Sequence, residues 1–182
     1  MGSGIAQVSA AAGYTTIVRE VDAGLLDKGL GRIRKFLDDG VAKGKVTADA
    51  RDATLGNLSG TTDVAALGDC DLVIEAIIEN IEEKRRTYAA LEAVVKDQTI
   101  IVSNTSSLCV TELAATTRRP DRFAGLHFFN PVPLMKLVEV IRGLTTSDDT
   151  YQQVFAFAQS LGKEPITAPD KPGFIVNRLL VP

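Results

Sequence analysis

Short β-branched runs alternating with longer helical patterns predict an α/β fold with a largely parallel sheet. Three observations carry that expectation. The apolar stretches Thr15–Val18, Asp71–Ala76, Thr99–Ser103, Phe123–Phe128 and Leu137–Ile141 are strand-length. Between them lie segments whose apolar residues recur every three or four positions. No internal repeat or low-complexity tract interrupts this order. A chain of 182 residues, 45% of them apolar, can bury roughly two-thirds of its unfolded surface, so a core needs no disulfide staples.

Taken in order, Ala6 to Ala12 is a small-residue helix ended by Gly13, a residue suited to a left-handed cap. A strand follows at 15–18. Leu26, Leu30, Ile33, Leu37 and Val41 put one buried stripe on a helix spanning 25–43. Thr61–Asp63 reads as a short strand or turn, and 71–76 as a buried strand. Ile81–Val95 is a charged amphipathic helix, 99–103 a strand and 107–116 a helix. The strands 123–128 and 137–141 come next, then a helix capped by Ser147 or Asp148 and ended at Leu161-Gly162. A strand near 165–167 precedes the break at Pro172-Gly173, and a helix begins within 174–180. The first element lacks a preceding strand and the last stops early, so both ends look cut.

Charge and composition narrow the function. Twenty basic and 23 acidic residues leave a net charge of −3, which argues against a nucleic-acid partner. No apolar run reaches the ~18 residues of a membrane span, and no signal-peptide pattern opens the chain. Cys70 and Cys109 are far apart and read as core residues of a reducing compartment. A cytoplasmic protein is therefore expected, with no metal site.

The chemistry centres on one imidazole. Oxidising a secondary alcohol needs a base with a pKa near working pH, which suits histidine. His127 is the single histidine. Glu139 stands between Val138 and Val140 on an apolar strand, where a carboxylate is costly unless paired. If the two meet, the carboxylate fixes the imidazole tautomer and stabilises its charge. The plain alternatives are a structural histidine and an outward-facing glutamate. Ser106 follows the strand 99–103, at the carboxyl end where open α/β sheets place ligands; a helix cap is its alternative. Gly2 and Gly4 open a helix, where unpaired amides and the dipole favour a pyrophosphate. Glu20, at the end of the second expected strand, is placed to bond ribose hydroxyls, while the neighbouring Arg19 keeps a 2′-phosphate open.

The runs Ser103-Asn104-Thr105-Ser106-Ser107-Leu108, Asp121 to Pro133 with its HFFNPVP centre, and Met135 to Ile141 resemble the L-3-hydroxyacyl-CoA dehydrogenase family, 3-hydroxybutyryl-CoA dehydrogenases included. Val73 to Ile77 with Glu79-Asn80, and Pro172 to Leu179, extend the resemblance over essentially the whole chain. It implies a doubly wound Rossmann-type sheet, truncated before its first strand and at the start of a helical C-terminal domain. Residues 1–170 would be the NAD-binding domain, and 171–182 the opening of a domain for substrate binding and dimerisation. Gly2 would be the third glycine of G-x-G-x-x-G, the earlier two being absent from the chain.

By the same resemblance His127 and Glu139 are the catalytic pair. Ser106 bonds substrate and the nicotinamide side of the cofactor, and Asn177 positions the reacting oxygen. Glu79, Lys84 and Asn130 line the cofactor site together with Gly2 and Glu20, and Lys43 meets the CoA phosphates. Phe36 stands where some members carry a CoA-contacting serine. The implied cofactor is NAD, with NADP open. The implied reaction interconverts L-3-hydroxyacyl-CoA and 3-oxoacyl-CoA in a homodimer, and the isolated 182-residue chain would be inactive. A related hydroxyacid dehydrogenase and a crystallin-like structural protein are the competing readings.

Overall fold

A computed structural model describes residues 1–180. Seven helices and seven strands among them fall into two compact units. One comprises Met1–Ala66 with Asn130–Met135, the other Leu67–Phe129 with the chain from Lys136 onward.

The first unit contains α1 (Gly2–Ala11), β1 (Thr16–Arg19), α2 (Ala23–Ala42), α3 (Ala48–Gly56) and β2 (Leu58–Thr61). β1 and β2 form a parallel two-stranded sheet in which Ile17 faces Ser59. α2 starts where Asp22 accepts the Leu25 N–H at 2.8 Å, a side-chain cap that satisfies an otherwise orphaned donor. Its stripe meets the α1 helix: Ala6, Ile33 and Leu37 are buried together, with Val18, Leu30, Leu55 and Leu58 packed against them.

Three expectations shift here. α1 begins at Gly2 rather than Ala6. The strand expected at 61–63 is β2, ending at Thr61. α3, capped by Thr47 through the Ala50 N–H at 3.1 Å, was not anticipated, because its short ADARDATLG sequence shows little apolar periodicity.

The second unit holds β3 (Leu72–Glu75), α4 (Ile81–Glu92), β4 (Ile100–Ser103), α5 (Val110–Ala114), β5 (Phe123–Phe128), β6 (Leu137–Arg142), α6 (Asp148–Ser160), β7 (Glu164–Pro169) and α7 (Val176–Leu180). The five strands lie in the order β3-β4-β5-β6-β7. β3, β4 and β5 are parallel, β6 runs antiparallel to β5, and β7 is parallel to β6. The sheet is thus mixed rather than uniformly parallel, and the junction at β5 and β6 matters most for the site. Ile101, Val102, Phe123, Ala124, Leu126, Val138, Val140 and Ile141 are all fully buried. Covered on both faces, these strands read as continuous apolar runs.

Gly125 shows how tightly they pack: a Cβ there would sit 2.8 Å from both Ile141 Cβ and Val110 Cγ2. The helix expected over 107–116 shrinks to the five residues of α5, because the preceding segment is held instead as a loop by side-chain hydrogen bonds. The last two positions of the expected 171–182 segment lie outside the described residues. Among the described residues no helix is long and apolar enough to cross a membrane, and no cluster of His, Cys, Asp and Glu could hold a metal ion.

Candidate active site

The antiparallel junction sets His127 and Glu139 directly opposite each other across the ladder. Cross-strand partners on one face carry side chains close enough to interact. His127 Nδ1 lies 2.7 Å from Glu139 Oε2. Facing an ionised carboxylate, which can only accept, Nδ1 carries the proton and Nε2 is left with the lone pair. Nε2 makes no hydrogen bond among the described residues, and the imidazole keeps 7% of its side-chain surface open.

Glu139 is fully buried, and its second oxygen is occupied too. Oε1 accepts the N–H groups of Ile175 at 2.9 Å and Val176 at 3.0 Å. A buried carboxylate with partners on both oxygens meets the condition for keeping its charge inside the fold. The imidazole is flanked by Phe129, with ring centroids 4.6 Å apart, and by Phe174 at 5.6 Å.

Ser106 lies in the loop after β4, and that loop is organised by Glu79. Glu79 Oε1 accepts the hydroxyl of Thr105, the amides of Ser106 at 2.9 Å and Ser107 at 3.2 Å, and the Ser107 hydroxyl at 3.2 Å. Burial pushes this carboxyl up. The hydrogen bonds from Thr105 and Ser106, with the Lys84 charge, outweigh burial and hold it below the ordinary value. Asn177, in α7, donates from Nδ2 to the Ser106 carbonyl at 3.3 Å. The second unit therefore brings His127, Glu139, Ser106, Asn177 and Glu79 into one connected arrangement.

Lys84 is placed differently from the expectation that it lines the cofactor site. It is 1% exposed, with Nζ 2.7 Å from Glu75 Oε1 and 3.3 Å from Glu79 Oε2. Its ammonium stands behind Glu79 rather than on an open surface. Glu75 is saturated: Oε1 also accepts the Ile77 N–H at 2.8 Å, and Oε2 takes the Tyr88 and Ser103 hydroxyls, each at 2.7 Å. Burial and the Glu75 charge push the Tyr88 hydroxyl pKa far up.

In the first unit, the N-cap Met1 makes no side-chain cap bond and no acidic residue stands in the first turn of α1. An anion is therefore unopposed at the amides beginning with Gly2. Glu20 is half-buried just past β1, where its amide continues the ladder to the Thr61 carbonyl at 3.1 Å. An anion-ready helix start with a carboxylate acceptor after the next strand fits the pyrophosphate and ribose of a dinucleotide.

Asn130 lines a cavity of about 160 Å³ with Ser3, Gly4, Arg32, Phe36 and Val132. That is smaller than a typical site for a whole ligand, so it can take only part of one. Lys43 is exposed at the C-cap of α2, the position where a lysine favours the helix dipole.

The sequence reading passed over Glu75, Thr105, Asp170 and Phe174. For Glu75 a signal was available: it is a carboxylate ending the apolar run Leu72-Val73-Ile74, costly unless paired. For Asp170 and Phe174 nothing local to the sequence announces the partners.

Residues 1–171 match the family described as 3-hydroxyacyl-CoA dehydrogenase, NAD binding domain. The chain is 43% identical over 182 residues to a 3-hydroxybutyryl-CoA dehydrogenase of Clostridioides difficile, covering all of this chain and 65% of that protein. It is 47% identical over 189 aligned positions to the mitochondrial hydroxyacyl-coenzyme A dehydrogenase of Rattus norvegicus, covering 60% of it. The crystal structure of the (S)-3-hydroxybutyryl-CoA dehydrogenase PaaH1 from Ralstonia eutropha superposes with a TM-score of 0.96 at 44% identity, over 99% of this chain and 64% of that one. The chain thus spans a little under two-thirds of the length of these relatives. The α/β fold is Rossmann-like, as the sequence predicts.

Proposed function

Because the chain belongs to the family of NAD-binding domains of 3-hydroxyacyl-CoA dehydrogenases, we propose that it serves the oxidation of L-3-hydroxyacyl-CoA to 3-oxoacyl-CoA, or the reverse reduction. The observation that carries this reading is the His127–Glu139 pair, 2.7 Å apart with the imidazole held between two aromatic rings. When bound, NAD supplies the hydride acceptor.

The chain's own residues do the rest. His127 takes the hydroxyl proton at Nε2 in the oxidative direction and returns it in the reductive one. Glu139 fixes the proton on Nδ1 and stabilises the imidazolium that forms. Asn177 and Ser106 hold the reacting oxygen. Glu79 keeps the Ser106 loop in one conformation, backed by Lys84. Gly2 and Glu20 meet the pyrophosphate and the adenine-side ribose. Asn130 belongs to the cofactor set as well. A carboxylate at position 20 favours NAD over NADP, since it would repel a 2′-phosphate. Lys43 meets the CoA phosphates. Residues 171–182 open the helical domain that completes the substrate site and the homodimer, and the protein works in the cytoplasm.

The test is turnover of acetoacetyl-CoA with NADH by the full-length protein and by His127→Gln. The substitution should cost on the order of 10³-fold in kcat, the range that general acid–base catalysis supplies. Near-normal turnover by the variant would remove His127 as the base. Turnover of free hydroxyacids in preference to acyl-CoA substrates would replace the substrate class.

A further inference from the structure

The segment joining β7 to α7 is pinned at both ends by carboxylates, and only Glu139 belongs to the pair described above. Asp170 stands immediately after β7. Its Oδ1 accepts the Val110 N–H at 2.8 Å, and its Oδ2 accepts the Thr111 N–H at 2.8 Å and the Thr111 hydroxyl at 2.5 Å. Cys109 Sγ lies 3.4 Å from the same oxygen. These donors form the start of α5, which follows the Ser106 loop directly in the chain. Five residues further on, Glu139 takes the amides of Ile175 and Val176.

Between the two anchors the backbone turns left-handed twice in succession, at Gly173 (φ 76°) and Phe174 (φ 49°). Gly173 has little room for a side chain, since a Cβ would lie 3.1 Å from the Arg178 nitrogen. For a bulky residue such as phenylalanine this region is strained, and it persists only where the surroundings over-determine it. Phe174 is 1% exposed and rests against the His127 ring. Immediately after the second anchor, Asn177 donates to Ser106. The contacts form a closed circuit: Ser106 loop, α5, Asp170, the left-handed turn, Glu139 with His127, Asn177, and back to Ser106.

We propose that Asp170 is a positioning residue for the reaction: by tying the turn to the start of α5, it sets where Phe174 lies against His127 and where Asn177 stands relative to Ser106. The proposal rests on the dehydrogenase reading. Two anchors hold a turn whose Phe174 is strained, and one anchor would release it. Without Asp170, Phe174 rotates toward a relaxed backbone, water reaches the imidazole and its carboxylate, and Asn177 drifts from Ser106. Misplacement by about 1 Å from outside the reacting centre can cost ~100-fold in rate.

The experiment is Asp170→Asn in the full-length protein, assayed with acetoacetyl-CoA and NADH, beside Thr111→Val and Asp170→Glu. The carboxamide of Asp170→Asn turns a donor against the Val110 or Thr111 donors at unchanged volume. The expected result is a kcat at least about tenfold lower, with KM for NADH within about two-fold and the protein folded at the assay temperature. Thr111→Val, which removes the hydroxyl donor to Asp170 and with it the acceptor of the exposed Leu144 N–H, should lower kcat about three-fold, and Asp170→Glu should recover part of the loss. A kcat within about two-fold of the unmodified protein in folded Asp170→Asn overturns the proposal. So does a parallel loss of kcat, NADH binding and folded fraction, which would mark a purely structural anchor. If Asp170→Asn does not fold, Thr111→Val decides on the same criteria. Unmodified protein that fails to turn over acetoacetyl-CoA sinks the dehydrogenase reading and this proposal together; active unmodified protein with an equally active Asp170→Asn sinks this proposal alone.

Discussion

Two buried pairs of a carboxylate and a basic side chain stand out among the described residues of the second unit, and both have a carboxylate oxygen 2.7 Å from a basic nitrogen. In the Glu75–Lys84 pair the carboxylate is saturated: Glu75 receives Lys84, the Ile77 amide, Tyr88 and Ser103. In the Glu139–His127 pair the carboxylate is equally saturated, by His127 and two amides, but the imidazole keeps a nitrogen with no hydrogen bond among the described residues. Burial and pairing therefore do not distinguish the proposed reactive pair from a structural one. The distinguishing feature is an unspent lone pair on the basic partner, held in one orientation by a carboxylate that cannot move. A lysine ammonium has three donors and no acceptor, so its charged form has nothing to accept with.

The largest effect should follow from breaking the second pair. Glu139→Gln removes the charge that steadies the imidazolium and presents an amide that can turn its donor end to Nδ1. We expect kcat to fall by on the order of 10²–10⁴-fold, read as turnover per folded molecule. A fall of less than about tenfold would make Glu139 a structural partner like Glu75. Next in size comes Glu75→Gln, which leaves Lys84 buried without its closest counter-charge. One-sided removal of a buried partner typically costs about 3–5 kcal/mol of folding stability, measurable by denaturant unfolding. If Glu75→Gln unfolds no more easily than the unmodified chain, the network around Glu75 is not what holds α4 to the sheet.

The contrast also shows what could be known from sequence. The strands at 123–128 and 137–141 were legible because a buried strand is a largely apolar run. That same feature made Glu139 conspicuous as a carboxylate inside such a run. His127, as the single histidine, could be matched to it. The start of α6 was legible because its capping side chain, Ser147, stood in place. Residues 107–109 read as the start of a helix; what keeps them in a loop is Glu79, brought in from 26 to 28 residues before the donors it binds. Lys84 was expected, by resemblance alone, to line the cofactor site, and nothing in a charged amphipathic helix reveals which lysine faces a buried glutamate. Asp170 and Phe174 act over 59 and 47 residues of separation respectively, beyond the reach of local pattern.

A smaller effect should separate the two pairs from the structural side. Tyr88→Phe deletes one donor to Glu75 and leaves the ring's edge-on packing against Phe123, at a centroid distance of 5.2 Å, in place. A hydrogen bond to a charged acceptor contributes about 1.5–3 kcal/mol. Unfolding should become easier by that amount while kcat stays within about two-fold. A large loss of kcat at preserved stability would instead connect the Glu75 network to the chemistry and erase the distinction drawn above.

The smallest expected effect concerns Glu79, which stands between the two pairs, bonded to Lys84 on one side and to the Ser106 loop on the other. Its pKa lies below the ordinary value of 4.5, because its donors outweigh burial. For a carboxyl lowered in the folded state, the stabilising contribution is complete above the unfolded value and is lost as pH falls through the folded one. The loop should therefore stay ordered when pH drops just below 4.5 and loosen only in stronger acid. Amide exchange at Ser106 and Ser107, both donors to Glu79 Oε1, reports this directly once corrected for the intrinsic pH dependence of exchange. Protection that persists below the ordinary carboxylate range and then fades would show the carboxylate acting as the loop's clamp. Protection lost at or above the ordinary value, or unchanged in Glu79→Gln, would mean that the loop is held by its own backbone and that Ser106 owes its position to Asn177 alone.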